Sequence, residues 1–108
     1  MAKVHIVVSR TNARADTGST LPIPDAIPAL ALPANAAAVS AVVAIMPSGG
    51  TLACHVTAIG GPVWVAFGPA DGPVPVAADN TGWLLQDGQT RSFGVASGQR
   101  LAIADAAL

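Results

Sequence analysis

Residues 51–67 read TLACHVTAIGGPVWVAF, and this stretch decides the fold. Its first nine residues alternate between two faces, which predicts a strand whose inner face carries Leu52, Cys54, Val56 and Ala58. The turn residues Gly60, Gly61 and Pro62 end that strand. Residues 63–67 are apolar on both faces, which is typical of a strand that is central or covered on both sides. The stretch therefore predicts two strands of a β-sheet, separated by a turn.

Outward from this stretch, turns rich in glycine and proline recur at intervals of roughly 8 to 12 residues, the spacing of a sandwich or barrel. Further strands are predicted between these turns, at residues 3–9, 74–78, 83–85, 90–96 and 100–104. Pro75 favours an edge position for its strand, because proline cannot donate to a ladder. We therefore expect one all-β domain over residues 1–108, a small antiparallel β-sandwich that is jelly-roll-like or Greek-key.

Several strands show which of their faces points inward. In the first strand, Val4, Ile6 and Val8 share one face. The last two strands are expected to form a hairpin whose inward residues are Phe93, Val95, Leu101 and Ile103. These side chains complete the predicted core.

Residues 34–46 fit two kinds of structure. Three alanines at 36–38 favour a helix by intrinsic propensity. The following residues alternate and are rich in valine, which favours a strand. We expect a strand that begins near Val39 and ends at Pro47, with a helix as the alternative.

Residues 11–35 form a proline-rich segment. Its four prolines favour extended backbone. The apolar residues between and around them are Leu21, Ile23, Ile27, Leu30 and Leu32. A segment of this length is either an extended arm that lies on a neighbouring molecule or a long loop folded over the core of its own domain.

The charge distribution indicates a protein with covered surfaces. Only 10% of the 108 residues are charged, 52% are hydrophobic, and residues 26–70 contain no Asp, Glu, Lys or Arg. A net charge of -1 argues against a nucleic-acid partner, which needs clustered basic residues. The most apolar window, residues 26–46, is interrupted by prolines and argues against a membrane span. The start of the chain does not resemble a signal peptide, so we expect synthesis in the cytoplasm.

Candidate catalytic groups are few. The chain has no Glu and no Tyr, and Asp71, Asp79 and Asp87 fit turn positions. Cys54 is the only cysteine, and His55 beside it on a strand would point to the opposite face. His5 and His55 could approach each other on one sheet face, but two histidines are a weak metal signal. We expect no catalytic residue, no metal, no cofactor and no enzymatic activity.

Three segments carry a resemblance to a known family: PVWVAFGP at residues 62–69, LQDGQTRSFGV at 85–95 and SGQRLAI at 97–103. They resemble the pattern of capsid decoration (cement) or head-fibre proteins of tailed bacteriophages and prophages. About half of the chain is covered, and the proline-rich part is not. The resemblance implies a β-sandwich that binds the outside of an icosahedral head, often as a trimer or another small homo-oligomer.

The expected function is therefore that of a virion protein, made in the bacterial host cytoplasm, which binds the major capsid protein and stabilises contacts between capsomers. The alternative is a carbohydrate-binding or tail-fibre-type module that uses Trp64 or Trp83, and a small enzyme using His55 with an Asp is a third class. A second apolar face around Val42, Ile59, Trp64 and Ala66 is where we expect another chain. The expected partner interface consists of Leu21, Ile23, Ile27, Leu30, Leu32, Val42, Ile59 and Trp64.

Overall fold

A computed structural model of the chain describes residues 2–12, 23–24, 27–48, 52–78 and 81–106. These residues form nine β-strands and no helix, so the all-β prediction is confirmed. The described part of the chain thus contains no helix able to cross a membrane. The strands are β1 (Lys3–Asn12), β2 (Ile23–Pro24), β3 (Leu30–Asn35), β4 (Ala41–Ile45), β5 (Leu52–Ile59), β6 (Val63–Gly68), β7 (Trp83–Leu85), β8 (Thr90–Val95) and β9 (Arg100–Asp105).

The strands form two antiparallel sheets. In the first sheet, β1 pairs with β3 and the short β2 on one side and with β5 on the other, and β8 follows β5. The second sheet has the order β4-β9-β6-β7. The chain passes from one sheet to the other after β3, β4, β5, β7 and β8. Such repeated crossing is typical of Greek-key and jelly-roll sandwiches, in agreement with the expected β-sandwich.

The core lies between the two sheets and follows the predicted alternation. The first sheet contributes Val4, Ile6 and Val8 from β1 together with the four inner residues of β5. The second sheet contributes Val63, Val65, Leu85, Leu101 and Ile103. All these side chains are buried, which confirms the inner faces assigned from the sequence.

The outer face of the second sheet is covered by the chain's own loop, residues 69–78. Ala77 packs there with Ala66, Ala102 and Ala104, and Trp64 lies half-buried against them. The side chain of Arg100 donates to the carbonyl oxygens of Pro69, Gly72 and Pro73 over 3.0–3.2 Å, which holds the loop in place. The prediction that β6 is covered on both sides is confirmed. Ala66, however, is covered by Ala77 of the chain's own loop and not by the neighbouring protein that we expected there.

Two details of the predicted strands are wrong. Residues 74–78 form no strand, because Pro73 and Pro75 interrupt the segment and the Ala77 N–H donates to Ser40 Oγ (2.8 Å). Strands β8 and β9 are not a hairpin, since β8 pairs with β5 and β9 pairs with β4 and β6. Their inner residues face one core from opposite sheets, so alternation alone could not separate the two arrangements.

The ambiguous and the proline-rich segments both contain strands. The strand interpretation of residues 34–46 is confirmed by β4, although the strand begins at Ala41 rather than near Val39. Within residues 11–35, the first two residues extend β1, and β3 runs along β1 as an edge strand. Leu30, Leu32 and Ala34 pack against the core. Of residues 11–35, the structure describes 11–12, 23–24 and 27–35. In that part β2 and β3 are strands, and β3 folds over its own domain instead of forming a free arm.

Candidate protein-binding surface

The sandwich has two open sides, where the edge strands of the two sheets face each other. On one side, β3 of the first sheet lies beside β4 of the second. Between them runs a groove of about 370 Å³, and all the described residues that line it carry aliphatic side chains. We call it the β3/β4 groove, and it is lined by Leu30, Leu32, Val42, Val43, Ala44 and Ile45.

Local structure explains why apolar side chains remain uncovered in this groove. In β3, every second side chain is half-buried, which turns Leu30 and Leu32 towards the core and the groove. In β4, the pairing with β9 shifts register between Val42 and Ala44. Such an irregularity changes which residues of a strand point outward. As a result Ala44 is buried, while Val42 is 37% and Ile45 is 62% exposed.

The groove lacks the charges that normally protect edge strands. Edge strands usually carry lysines or inward-pointing charges that prevent association. Residues 26–70 contain none, and Ile27 and Val39, which precede β3 and β4, are 83% and 78% exposed. Pro33 lies within β3 and cannot donate to an added strand. The groove is therefore suited to a partner that packs apolar side chains into it.

The structure brings together some of the predicted interface residues and separates others. Leu30, Leu32 and Val42 line the groove. Ile59 is 43% exposed at the end of β5, and Trp64 packs in the alanine cluster of the second sheet. Leu21 lies outside the described residues, as does the side chain of Ile23, whose backbone pairs with Asn12. Ile27 lies shortly before β3, separated from it by Pro28 and Ala29, and is highly exposed.

Sequence reasoning missed three groove residues, Val43, Ala44 and Ile45. It treated residues 39–46 as a regular strand, in which alternate residues share a face. The register shift in β4 breaks that pattern. The missing charges were the available signal, and they pointed to the region but not to individual residues.

The outer face of the first sheet carries hydroxyl and imidazole groups that bond across its strands. A hydrogen bond of 2.7 Å joins His55 Nδ1 to Ser92 Oγ, and one of 3.2 Å joins His55 Nε2 to Ser9 Oγ. Thr57 and Thr90 are joined in the same way at 2.7 Å. His55 thus contacts two serines rather than an aspartate. Among the described residues no group of three or more His, Cys, Asp or Glu side chains is placed to hold a metal ion.

The surroundings of Cys54 and Asp87 indicate structural roles for both side chains. Cys54 is fully buried opposite Phe93, and burial raises the pKa of its thiol to about 12. A thiol with that pKa is protonated at neutral pH and is a poor nucleophile. Asp87 Oδ1 accepts a hydrogen bond from the Gly60 N–H over 2.9 Å. This contact connects two turns, in agreement with the predicted turn role of Asp87.

The second open side lies between β7 and β8, and its cleft of about 640 Å³ contains aromatic and polar groups. Trp83, one of the two tryptophans considered for stacking in the carbohydrate-binding alternative, is 53% exposed there, whereas Trp64 is half-buried elsewhere. The two open sides therefore differ in chemistry.

In comparisons with known proteins, no family model, no curated protein and no solved structure matched the chain.

Proposed function

We propose that the protein is a structural component of a tailed-phage virion, a decoration or cement protein that binds the outer surface of the icosahedral head. Its partner is the major capsid protein, and binding strengthens the contacts between capsomers. The observation that carries this proposal is the uncharged β3/β4 groove. The resemblance of residues 62–69, 85–95 and 97–103 to such proteins is the reason for proposing a capsid protein as the partner.

The size of the groove sets the expected strength of one contact. Fully burying a side chain such as Ile45 contributes roughly 1.5–3 kcal/mol, and Ile45 and Val42 are already partly covered. Association also costs translational and rotational entropy, so one groove holds its partner weakly. An icosahedral head repeats the same site many times. A trimer or another small homo-oligomer would engage several sites at once and so bind much more tightly than one copy.

The test uses phage heads that lack this protein, prepared by deleting its gene from the phage that encodes it. The purified chain is added back, and binding is followed by co-sedimentation and electron microscopy. We expect saturable binding at lattice-related positions and a higher temperature of head rupture. Particles with the gene intact should contain the chain in a copy number comparable to that of the major shell protein.

Two variants connect this binding to the groove. Ile45→Asp places a charge in the groove, where it would be buried against the partner without a counter-charge. We expect it to weaken head binding about 100-fold, which corresponds to about 2.7 kcal/mol. The matched control is Val74→Asp, because Val74 is 58% exposed but belongs to the loop over the second sheet. Equal binding by both variants would contradict the role of the groove, and absence of the chain from virions would contradict the function.

A further inference from the structure

The cleft on the β7/β8 side concentrates the aromatic residues of the chain. The sequence has two Trp, two Phe and no Tyr, and three of these four rings meet in this cleft. Phe67 and Phe93 pack with ring centroids 4.9 Å apart, and Trp83 lies 5.9 Å from Phe93, both pairs tilted by 56°. Phe93, which itself packs on Phe67, contacts the indole while 53% of Trp83 stays exposed. A fixed, exposed indole is a surface on which a ring can stack.

The polar side chains around this indole are mainly hydrogen-bond donors. The guanidinium of Arg91 lies over Trp83, 5.0 Å from the ring centroid. Gln99 Oε1 accepts a hydrogen bond from the Ala96 N–H (2.7 Å), which leaves the amide NH₂ of Gln99 to donate. The Ser92 hydroxyl is already joined to His55. Among the described residues no Asp lines the cleft, so a matching ligand is rich in acceptors and carries negative charge.

The ligand also has to be small and to carry few charges. A nucleic acid needs several basic residues along its phosphates, whereas Arg91 is the one basic residue that the described part of the chain places in the cleft, and the whole chain has five basic residues. One guanidinium suits one carboxylate, which it can bind through two parallel hydrogen bonds. The volume of about 640 Å³ lies within the usual range for small-molecule sites.

We propose that the cleft binds an acidic sugar, a pyranose ring that carries a carboxylate, such as a uronic or sialic acid. The apolar face of the sugar ring packs against the part of the Trp83 indole that Arg91 and Phe93 leave exposed, the carboxylate pairs with the neighbouring Arg91 guanidinium, and the Gln99 amide donates to a ring hydroxyl or carbonyl oxygen. The site lies on the opposite open side from the β3/β4 groove. It therefore holds whether or not the groove binds phage heads.

The experiment measures sugar binding to the full chain by saturation-transfer-difference NMR and tryptophan fluorescence. The probes are glucuronic acid and N-acetylneuraminic acid, with glucose as the neutral counterpart of glucuronic acid. We expect the acidic sugars to bind about tenfold more tightly than glucose, the effect of one charge-assisted pair. Arg91→Gln should remove that preference, and Trp83→Ala should abolish binding of every sugar. Trp64→Phe is the matched control and should bind like the parent chain.

Folding is checked for each variant by its thermal transition, and Arg91→Gln, which keeps a long polar side chain on β8, tests the site even if Trp83→Ala fails to fold. Three results would overturn the proposal: no saturation transfer to any probe, equal affinity for glucose and glucuronic acid, or binding that persists unchanged in folded Arg91→Gln.

Discussion

On the β3/β4 side the edge strands expose aliphatic side chains without a charge among them, whereas on the β7/β8 side they expose an indole ring beneath a guanidinium. Both open sides border the same core. Each is formed by two edge strands, which within the described residues pair with only one neighbouring strand. The difference lies in what keeps their apolar groups uncovered. Ile45 is exposed by a register shift, while Trp83 is held by Phe93 and Arg91. One framework thus supports two unrelated surfaces, and the predictions below test whether they are independent.

The largest effect is expected for Gly82→Ala, which acts on the β7/β8 side. A Cβ at Gly82 would lie 2.5 Å from the carbonyl oxygen of Val65, so the backbone around β7 would have to move. We expect the free energy of unfolding to fall by about 3 kcal/mol, measured by urea denaturation followed through tryptophan fluorescence. The control is Gly94→Ala on β8, whose Cβ would meet nothing within 4 Å and whose φ is not positive. It should stabilise the fold by about 0.5 kcal/mol, and similar losses for both variants would show that β7 is not held as described.

Leu32→Ala tests the β3/β4 side and ranks second. Leu32 is half-buried and packs against the core, so its truncation leaves a gap beside β3. We expect a loss of about 2 kcal/mol in calorimetric or denaturant unfolding, below the cost of truncating a fully buried leucine. Ile27→Ala provides the comparison, since Ile27 is 83% exposed and should change stability by less than about 0.5 kcal/mol. An unchanged stability of Leu32→Ala would mean that β3 is not docked on the core.

The third effect is a dependence of stability on alkaline pH, produced by Cys54. The thiol has a pKa near 9 when exposed and about 12 when folded, so the folded protein holds the proton more tightly. Its contribution is complete below pH 9 and is lost as the pH rises from 9 towards 12, by about 1.4 kcal/mol per unit. Between pH 8 and pH 10.5 the chain should lose about 2 kcal/mol more stability than Cys54→Ala. Identical pH profiles for the two proteins would mean that the thiol is accessible to solvent.

The reactivity of Cys54 also measures how well the β7/β8 side is packed, because Cys54 lies opposite Phe93 in the β5–β8 ladder. Its labelling by iodoacetamide should be slow in the parent chain and faster in Gly82→Ala. In Ile45→Asp, which changes the opposite side, labelling should stay as slow as in the parent.

The smallest effect is expected for Trp83→Leu. This change removes the tilted contact with Phe93 and the cation–π contact with Arg91 while it keeps an apolar side chain. These contacts contribute about 1 kcal/mol, and that loss should appear in thermal unfolding. The proposed head binding through the β3/β4 groove should not change. A weaker head affinity in folded Trp83→Leu would show that the two sides are coupled.

Sequence reasoning was most successful where one residue pattern maps directly to one face. The alternation of residues 52–58 placed four side chains in the core, because the period of a strand is two and one face of β5 is buried. It could not assign β8 and β9 to different sheets, since a strand has the same alternation of inward and outward residues in either sheet. The sheet assignment depends on pairing with β5 and β6, which lie far away in the sequence.

The two candidate surfaces were only partly visible in the sequence. The missing charges of residues 26–70 indicated apolar surface, yet they did not separate Ala66, which the loop at Ala77 covers, from Val42, which remains exposed. The cover depends on Arg100 bonding to carbonyls about 30 residues earlier in the chain, an interaction between backbone and side chain that leaves no periodic signal. The sequence offered Trp83 as a stacking residue only in the alternative of a carbohydrate-binding module, and its association with Arg91 and Gln99 required the two sheets to be placed together.

The position of the first and last strands has a mechanical consequence. β1 is paired on both sides, with β3 and β5, and β9 is paired on both sides, with β4 and β6. A force that pulls along β1 and β9 would load these antiparallel ladders in shear, so that many hydrogen bonds must break together rather than one after another. Each of these two strands is thus held along both of its edges, and pulling either one out of its sheet requires two ladders to break.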